Sequence, residues 1–302
     1  MSEISHSIYR TVAYFSLFDY PLTTFEIWKW LFGSENKASL LAVRQELASS
    51  GFLSERIVGQ GGFWTPTGQP IEELIKTRHE RYLNAVRKYK RLRWATGYLS
   101  LIPSVRGVAA CNTLAWNHTR GESDIDIFVI VREGSVWTSR LLAVAPFKIL
   151  KMRPGAGQRD PLCFTFFLSD TNLDLSALQL EGSDPYLAVW ARSLVPIFDR
   201  DNVFDQFVQA NGWLATNLPN SYQSSEHHHR RVDSDRSSWR APNIFERLAE
   251  RLQRRKFPEV IQNMANRDSR VVVSDAMLKF HDNDRRAEYR DKLETIVSEV
   301  VQ

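Results

Sequence analysis

Two aspartates stand at the head of an apolar run, and this pattern constrains the chain more than any other. Residues 122–131 read ESDIDIFVIV, so Asp124 and Asp126 lie one residue apart directly before the run. In a β-strand, residues two apart point to the same face of the sheet. We therefore expect both carboxylates on one face, with Ile125 and Ile127 turned into the core.

Two carboxylates held side by side repel each other, so a stable fold needs a reason to tolerate them. A divalent cation between Asp124 and Asp126 would remove the repulsion. Mg²⁺ prefers carboxylate oxygens and leaves coordination positions for water and phosphate. Two-metal sites for phosphoryl transfer are built in this way. The structural alternative is an Asp-x-Asp turn or helix-cap pair at a strand entrance.

The segment upstream of the pair adds a second pattern. Residues 105–111 predict a strand and 112–119 a turn with a short helix, and the strand over 124–131 follows. This order, with Asp-x-Asp in the second strand, resembles the nucleotidyltransferase superfamily that includes DNA polymerase β. The family has Gly-Ser or Gly-Gly where this chain has Asn112 and Thr113.

The resemblance implies roles for particular residues. Asp124 and Asp126 would bind Mg²⁺, and Asn112, Thr113 and Ser123 would contact a nucleoside triphosphate. Thr113 keeps the hydroxyl of the family's Ser, whereas Asn112 is bulkier than Gly, although Asn also adopts unusual backbone angles. An acceptor hydroxyl would attack the α-phosphorus, and pyrophosphate would leave.

Enzymes of this family carry a third carboxylate on a later strand. The next predicted strand opens the segment 161–176, in which Thr165 lies inside the strand and Asp170 and Asp174 at or beyond its end. We nominate Asp170 as the third catalytic acid, with a turn or helix-capping role as the alternative. Without a third acid a second metal would be poorly held, and catalysis would be slow or absent.

The first 70 residues predict a separate module. Helices are expected near the N-terminus, over FEIWKWLF and over residues 38–50, followed by a two-stranded wing from FLSERIV and GGFWTPTG. This order resembles a winged helix, a fold that often binds DNA through its third helix. Arg44 is the single cation of that helix, so a packing or dimerisation module is the alternative.

A long basic helix is predicted over residues 70–100, with Pro70 in its first turn. Glu80 is the only acid between residues 76 and 93. Such a run usually forms a solvated helical face, and a polyanion or triphosphate partner is the second interpretation. The cations of this stretch are Lys76, Arg78, Arg81, Arg87, Lys88, Lys90, Arg91 and Arg93.

The remainder of the chain, residues 177–302, predicts a helical region with a mobile polar loop over residues 221–243. Three adjacent histidines in that loop, His227 to His229, are a weak metal-site pattern. The segment KFHDNDRR, residues 279–286, predicts an internal salt-bridge network, with a phosphate site as the alternative.

The sequence thus predicts an α+β protein of three parts: a winged-helix-like domain over 1–70, a long basic helix plus a mixed-sheet nucleotidyltransferase core over 71–176, and the helical region 177–302. A hydrophobic content of 43% supports a real core, and a net charge of +4 permits nucleotide or nucleic-acid contact. The two cysteines are expected to be reduced core thiols. With no signal peptide or membrane span visible, we expect a cytoplasmic protein without a membrane partner.

The predicted activity is magnesium-dependent transfer of a nucleoside monophosphate to an acceptor hydroxyl on a small molecule, a protein or an RNA end. Arg120, Arg132 and Lys148 are candidate phosphate-neutralising cations or ordinary surface charges. The alternative function is a catalytically degenerate nucleotidyltransferase-fold protein that acts as a DNA-binding regulator or an interaction module.

Overall fold

A computed structural model of the chain describes residues 2–33, 37–155, 157–222, 228–233 and 243–301. In these ranges the chain is a mixed α+β protein, as predicted. The helices are α1 (Glu3–Ser16), α2 (Thr24–Lys29), α3 (Leu40–Ser49), α4 (Gly51–Arg56), α5 (Ile71–Leu99), α6 (Asn112–Ala115), α7 (Val136–Ile149), α8 (Pro185–Ser193), α9 (Val203–Ala210), α10 (Trp213–Asn217), α11 (Asn243–Arg254), α12 (Glu259–Met264) and α13 (Arg286–Val301). The strands are β1 (Leu22–Thr23), β2 (Ile57–Gln60), β3 (Phe63–Pro66), β4 (Val105–Ala110), β5 (Ile125–Val131), β6 (Leu162–Ser169), β7 (Val195–Asp199), β8 (Val271–Val273) and β9 (Met277–Phe280).

The N-terminal part combines α1 to α4 with a small antiparallel sheet of order β1-β3-β2. The predicted hairpin turn is present, because Gly61 and Gly62 both have positive φ between β2 and β3. The first wing strand is shorter than predicted. Residues 52–56 form helix α4 instead, since the Ser50 hydroxyl accepts a hydrogen bond from the Leu53 amide and caps that helix.

A six-stranded mixed sheet of order β7-β4-β5-β6-β9-β8 forms the centre of the molecule. Strands β5 and β6 run parallel, and the other neighbours are antiparallel. The predicted α+β class with a mixed sheet is confirmed. The expectation that residues 177–302 are helical is wrong in part, because this segment supplies β7, β8 and β9. The β-branched run Val271–Val273 pairs with Met277–Phe280 as a hairpin at the sheet edge.

Hydrophobic clusters cover both faces of the sheet. One cluster joins Phe128 and Phe166 of the sheet to side chains of the N-terminal helices, such as Phe15. The other joins Ile127 and Val129 to residues of α5 and α7. Strand β5 is therefore buried on both faces, which explains its continuous apolar sequence.

Helix α5 connects the N-terminal part to the sheet through paired cations. Arg78 binds Glu26 at 2.7 Å, Arg81 binds Asp19 at 3.1 Å, and Arg87 binds Asp160 at 2.8 Å. These contacts join residues far apart in sequence. The expected solvated face therefore holds only for part of the helix, because several of its cations bind acids of the chain itself.

Lys88 of the same helix is fully buried. Its ammonium group donates hydrogen bonds to the Arg120 carbonyl at 2.7 Å, to the Thr119 hydroxyl at 3.2 Å and to the Ser123 carbonyl. Three donors of one lysine thus hold the loop that enters β5, directly before Asp124.

The predicted mobile loop 221–243 lies partly outside the described residues, and so does His227 of the histidine run. His228 and Arg230 bound a short 3₁₀ turn. Among the described helices, none has the length and apolar content needed to cross a membrane.

The Arg78–Glu26 pair predicts a measurable share of the stability. We expect Arg78→Gln to lower the free energy of unfolding by about 2 kcal/mol, because Glu26 stays largely buried without its ion partner and the contact of Arg78 with the Tyr20 ring is lost. Urea unfolding measures this difference. The matched control is Lys76→Gln on the exposed side of α5, with an expected change within about 0.5 kcal/mol. Equal effects of the two substitutions would contradict the role assigned to the pair.

Candidate functional site

Asp124 and Asp126 line one cavity of about 470 Å³ at the end of β5. Asp124 directly precedes the strand, and Asp126 is its second residue. Ile125, between the two aspartates in sequence, and Ile127, the residue after Asp126, are fully buried in the core. The predicted alternation of the strand is therefore confirmed, and both carboxylates face the same space.

Burial and mutual proximity make the pair unfavourable as two full charges, and the effect is largest at Asp126. Burial raises the pKa of Asp126 to about 6 and the nearby charge of Asp124 adds to this rise, while hydrogen bonds from Asn112 and Cys163 oppose it. Burial also raises the pKa of Asp124, against the attraction of Lys88 and Arg153. The site thus holds negative charge at neutral pH at a cost in stability.

Asn112 is the direct partner of Asp126. Its side-chain amide donates a hydrogen bond of 2.8 Å to Asp126 Oδ2. Its backbone has φ of 55°, in the left-handed region that glycine and asparagine adopt most readily. The nucleotidyltransferases that the sequence resembles have glycine at this position. Asn112 keeps a backbone angle suited to glycine and adds a hydrogen-bond donor for the Asp126 carboxylate.

The other two residues predicted to contact a nucleotide do not line the cavity, although each adjoins a residue that does. Thr113 belongs to α6, where its carbonyl accepts a hydrogen bond of 2.8 Å from the His118 amide. The Ser123 carbonyl accepts from Lys88. Neither residue lines the cavity of the aspartate pair, which does include Asn112.

Asp170 is not near the pair, and its nomination as third catalytic acid is corrected. Strands β5 and β6 run parallel, with Asp126 opposite Cys163 and Val131 opposite Ser169. Asp170 therefore lies at the far end of the sheet, roughly 20 Å along the strands from Asp126. There it binds Arg106 at 2.8 Å and accepts a hydrogen bond from the Glu133 amide, so its role is structural.

Uncharged side chains occupy the neighbouring strand positions. Cys163 lies opposite Asp126, and Thr165 lines the cavity. The Thr165 hydroxyl is 3.3 Å from His281 Nε2. Burial and the nearby Lys279 lower the pKa of His281 to about 3, so this imidazole is neutral at physiological pH. No third carboxylate stands in register with the pair on β6.

The segment KFHDNDRR forms the opposite wall of the cavity, a position that the sequence did not reveal. Asp284 binds Arg286 at 2.9 Å and lies 3.6 Å from Lys279, and Arg286 also binds Asp184 at 2.7 Å. These contacts form the predicted internal network. The cations of the wall are thereby largely neutralised by acids of the chain.

Aromatic rings line a further side of the cavity. Phe166 stacks on Trp190 with ring centroids 5.5 Å apart, and Tyr186 stacks on Tyr289 at 5.7 Å. Nothing in the sequence pattern brings these four residues together, because they come from β6, α8 and α13. The rings offer an apolar surface for the flat part of a ligand.

The predicted phosphate-neutralising cations are not gathered at the pair. Arg120 is exposed and 3.9 Å from Asp19, Lys148 lines a different cavity, and Arg132 follows the far end of β5. A residue that sequence reasoning missed, Arg153, is partly buried and attracted to Asp124, although it lines the same other cavity as Lys148. Its Nε has no hydrogen-bond partner among the described residues.

The donor set fits a single magnesium ion completed by other oxygens. Asp124 and Asp126 supply hard carboxylate ligands, and Mg²⁺ is commonly bound by one or two carboxylates together with substrate phosphates and water. In the described ranges no cluster of three or more His, Cys, Asp or Glu side chains could hold an ion alone. A metal here would therefore depend on a phosphate ligand.

Comparisons of the chain with protein-family models, with curated proteins and with solved structures found no match. The resemblance to nucleotidyltransferases consequently rests on residues 105–131. Any functional interpretation has to come from the geometry of the cavity.

The raised pKa of Asp126 predicts that ionisation of this group lowers the stability of the protein. In the folded protein this group binds a proton between about pH 4 and pH 6 that it has lost in the unfolded chain, so stability falls as pH rises through that window. We expect Asp126→Asn to stabilise the protein by about 1–3 kcal/mol at pH 7, with the gain vanishing near pH 4. Thermal unfolding across this pH range measures it.

Asp160→Asn is the matched control. Although burial opposes it, the hydrogen bond from Arg87 lowers the pKa of Asp160, so its charge stabilises the fold above the unfolded pKa. This substitution should therefore destabilise the protein at pH 7, and the loss should fade as the pH falls below about 4. If Asp126→Asn also destabilised the protein at pH 7, the claim that the charge of Asp126 is unfavourable in the folded protein would be refuted.

Proposed function

We propose that the chain is a magnesium-dependent nucleotidyltransferase that moves a nucleoside monophosphate from a nucleoside triphosphate to an acceptor hydroxyl. The observation that carries the proposal is the Asp124–Asp126 pair. Both carboxylates face one cavity, and no described basic residue forms an ion pair with either. The proposal includes a nucleotidyltransferase-type sheet and a winged-helix-like N-terminal part.

Each group of the cavity has a role in this proposal. Asp124 and Asp126 hold Mg²⁺, which when bound would neutralise phosphate charge and orient the α-phosphorus. Asn112 fixes the orientation of Asp126 through its 2.8 Å hydrogen bond. Arg153 does not line this cavity, but its charge attracts Asp124 and helps to keep that carboxylate ionised.

The size and walls of the cavity favour a small acceptor. A volume of about 470 Å³ lies in the range of small-molecule sites. Phe166, Trp190 and Tyr186 supply apolar surface, and the acidic and basic groups of the opposite wall supply hydrogen-bonding partners. These features support a small hydroxyl compound more than the protein or RNA end that the sequence left open.

One observation favours the second candidate function, a nucleotide-binding protein without transfer activity. Thr165 stands in the cavity where the resembling enzymes would need an acid, and its partner His281 is neutral. A carboxylate that deprotonates the acceptor is therefore missing from β6. Binding without turnover would assign the chain to this degenerate class, in which the N-terminal part could act as a DNA-binding or interaction module.

Titration calorimetry with ATP, CTP, GTP and UTP, each with and without Mg²⁺, tests the proposal. We expect binding that requires Mg²⁺ and that weakens at least about tenfold in Asp124→Asn and in Asp126→Asn, because each substitution removes one charged ligand of the ion. Transfer of label from an α-labelled triphosphate to small hydroxyl compounds then separates catalysis from binding alone.

Glu122→Gln is the matched control. This exposed acid lies two residues before Asp124 but does not line the cavity, so its loss should leave binding unchanged. Binding that is independent of Mg²⁺, or that survives both aspartate substitutions, would show that the pair is not a metal site.

A further inference from the structure

A second cavity lies where the N-terminal part meets the helices that pack on the six-stranded sheet. This junction cavity has a volume of about 330 Å³. Residues from α2, α5 and α8 and the turn after α6 line it, and they do not overlap with the lining of the aspartate cavity. Its aromatic members include Tyr20, Trp30 and Trp116.

Positive charge exceeds negative charge in the junction cavity. Its cations are Lys29, Arg78 and Arg192, and its one acid is Glu26. Glu26 is fully engaged: it binds Arg78 at 2.7 Å and accepts hydrogen bonds from Tyr20 and from Thr23. Lys29 and Arg192 are left as the surplus charges.

In the described part of the chain neither Lys29 nor Arg192 forms a salt bridge, and the acid whose charge acts on Lys29, Glu26, is already paired with Arg78. The Lys29 ammonium lies over the rings of Trp30 and Tyr222, at 5.1 and 4.7 Å from their centroids. Arg192 donates a hydrogen bond of 2.9 Å from Nε to the Ser221 hydroxyl. Burial lowers the pKa of both groups; at Lys29 the charge of Glu26 opposes this shift and the charge of Arg192 adds to it. The arrangement is the positive counterpart of the aspartate pair.

Helix capping explains these two cations incompletely. Each lies in the last turn of its helix, α2 for Lys29 and α8 for Arg192, where a cation interacts favourably with the terminal carbonyls. Exposed side chains would provide that benefit without desolvation. Two cations that repel each other inside one aromatic cavity need a further reason, which a negatively charged ligand supplies.

We propose that the junction cavity binds a small organic anion that carries a phosphate or carboxylate group on a planar ring. The anionic group pairs with Lys29 and Arg192, and guanidinium and ammonium groups both bind such oxygens strongly. The ring lies against the aromatic wall formed by Tyr20, Trp30 and Trp116. The site is independent of Mg²⁺ and of the proposed transfer reaction.

The test uses calorimetry on the full chain in EDTA, which removes Mg²⁺ from the aspartate cavity. The probes are phenyl phosphate, AMP, benzoate and inorganic phosphate. We expect a ring-bearing anion to bind more tightly than inorganic phosphate, and Lys29→Gln and Arg192→Gln each to weaken it at least tenfold. Comparing phenyl phosphate with benzoate identifies the preferred anionic group.

Two controls keep the outcome interpretable. Arg44→Gln removes an exposed cation outside the cavity, and Asp124→Asn alters the other site, so neither should change probe affinity. Lys29→Arg keeps the positive charge and should keep most of the probe affinity. It therefore separates loss of the charge from any folding defect in Lys29→Gln. Three results would overturn the proposal: no probe binding at millimolar concentration, probe affinity in both Lys29→Gln and Arg192→Gln equal to that of the unsubstituted protein, or inorganic phosphate binding as tightly as the ring-bearing probes.

Discussion

Burial of strand β5 on both faces is the constraint from which the geometry of the site follows. The strand lies between β4 and β6 in the middle of the sheet, and its apolar residues contact both hydrophobic clusters. Its N-terminal end opens into a cavity, and Asp124 and Asp126 stand there. Lys88 holds the loop directly before Asp124 through three hydrogen bonds, and Asn112 holds the Asp126 carboxylate.

At this strand end, the charges that would suit a ligand also lower the stability of the protein. A buried strand end with two carboxylates is unfavourable in the ligand-free protein, as the raised pKa of Asp126 indicates. The junction cavity repeats the conflict with opposite sign, because Lys29 and Arg192 share a partly buried space. In both places like charges that lower the stability of the protein by itself are suited to a ligand of opposite charge.

The sequence predicted what depends on local pattern. The two-residue period of β5 was enough to place both carboxylates on one face, and paired glycines indicated the hairpin between β2 and β3. Sequence-based prediction failed where the register between strands decides which residues lie close together. Asp170 looked close to the pair, but the parallel register of β5 and β6 puts it at the opposite end. Charges on α5 looked solvated, since their partners Glu26 and Asp160 lie 52 and 73 residues away. The aromatic rings of the aspartate cavity come from β6, α8 and α13, so no local sequence pattern could have predicted that they lie together.

The most direct test of the central claim is to locate a divalent ion crystallographically. Crystals of the chain soaked with Mn²⁺ and a non-hydrolysable nucleoside triphosphate should show an anomalous peak between Asp124 and Asp126, with phosphate oxygens completing its coordination. An anomalous peak elsewhere, or a pair neutralised by a side chain such as Arg153 while the nucleotide binds away from it, would contradict the account.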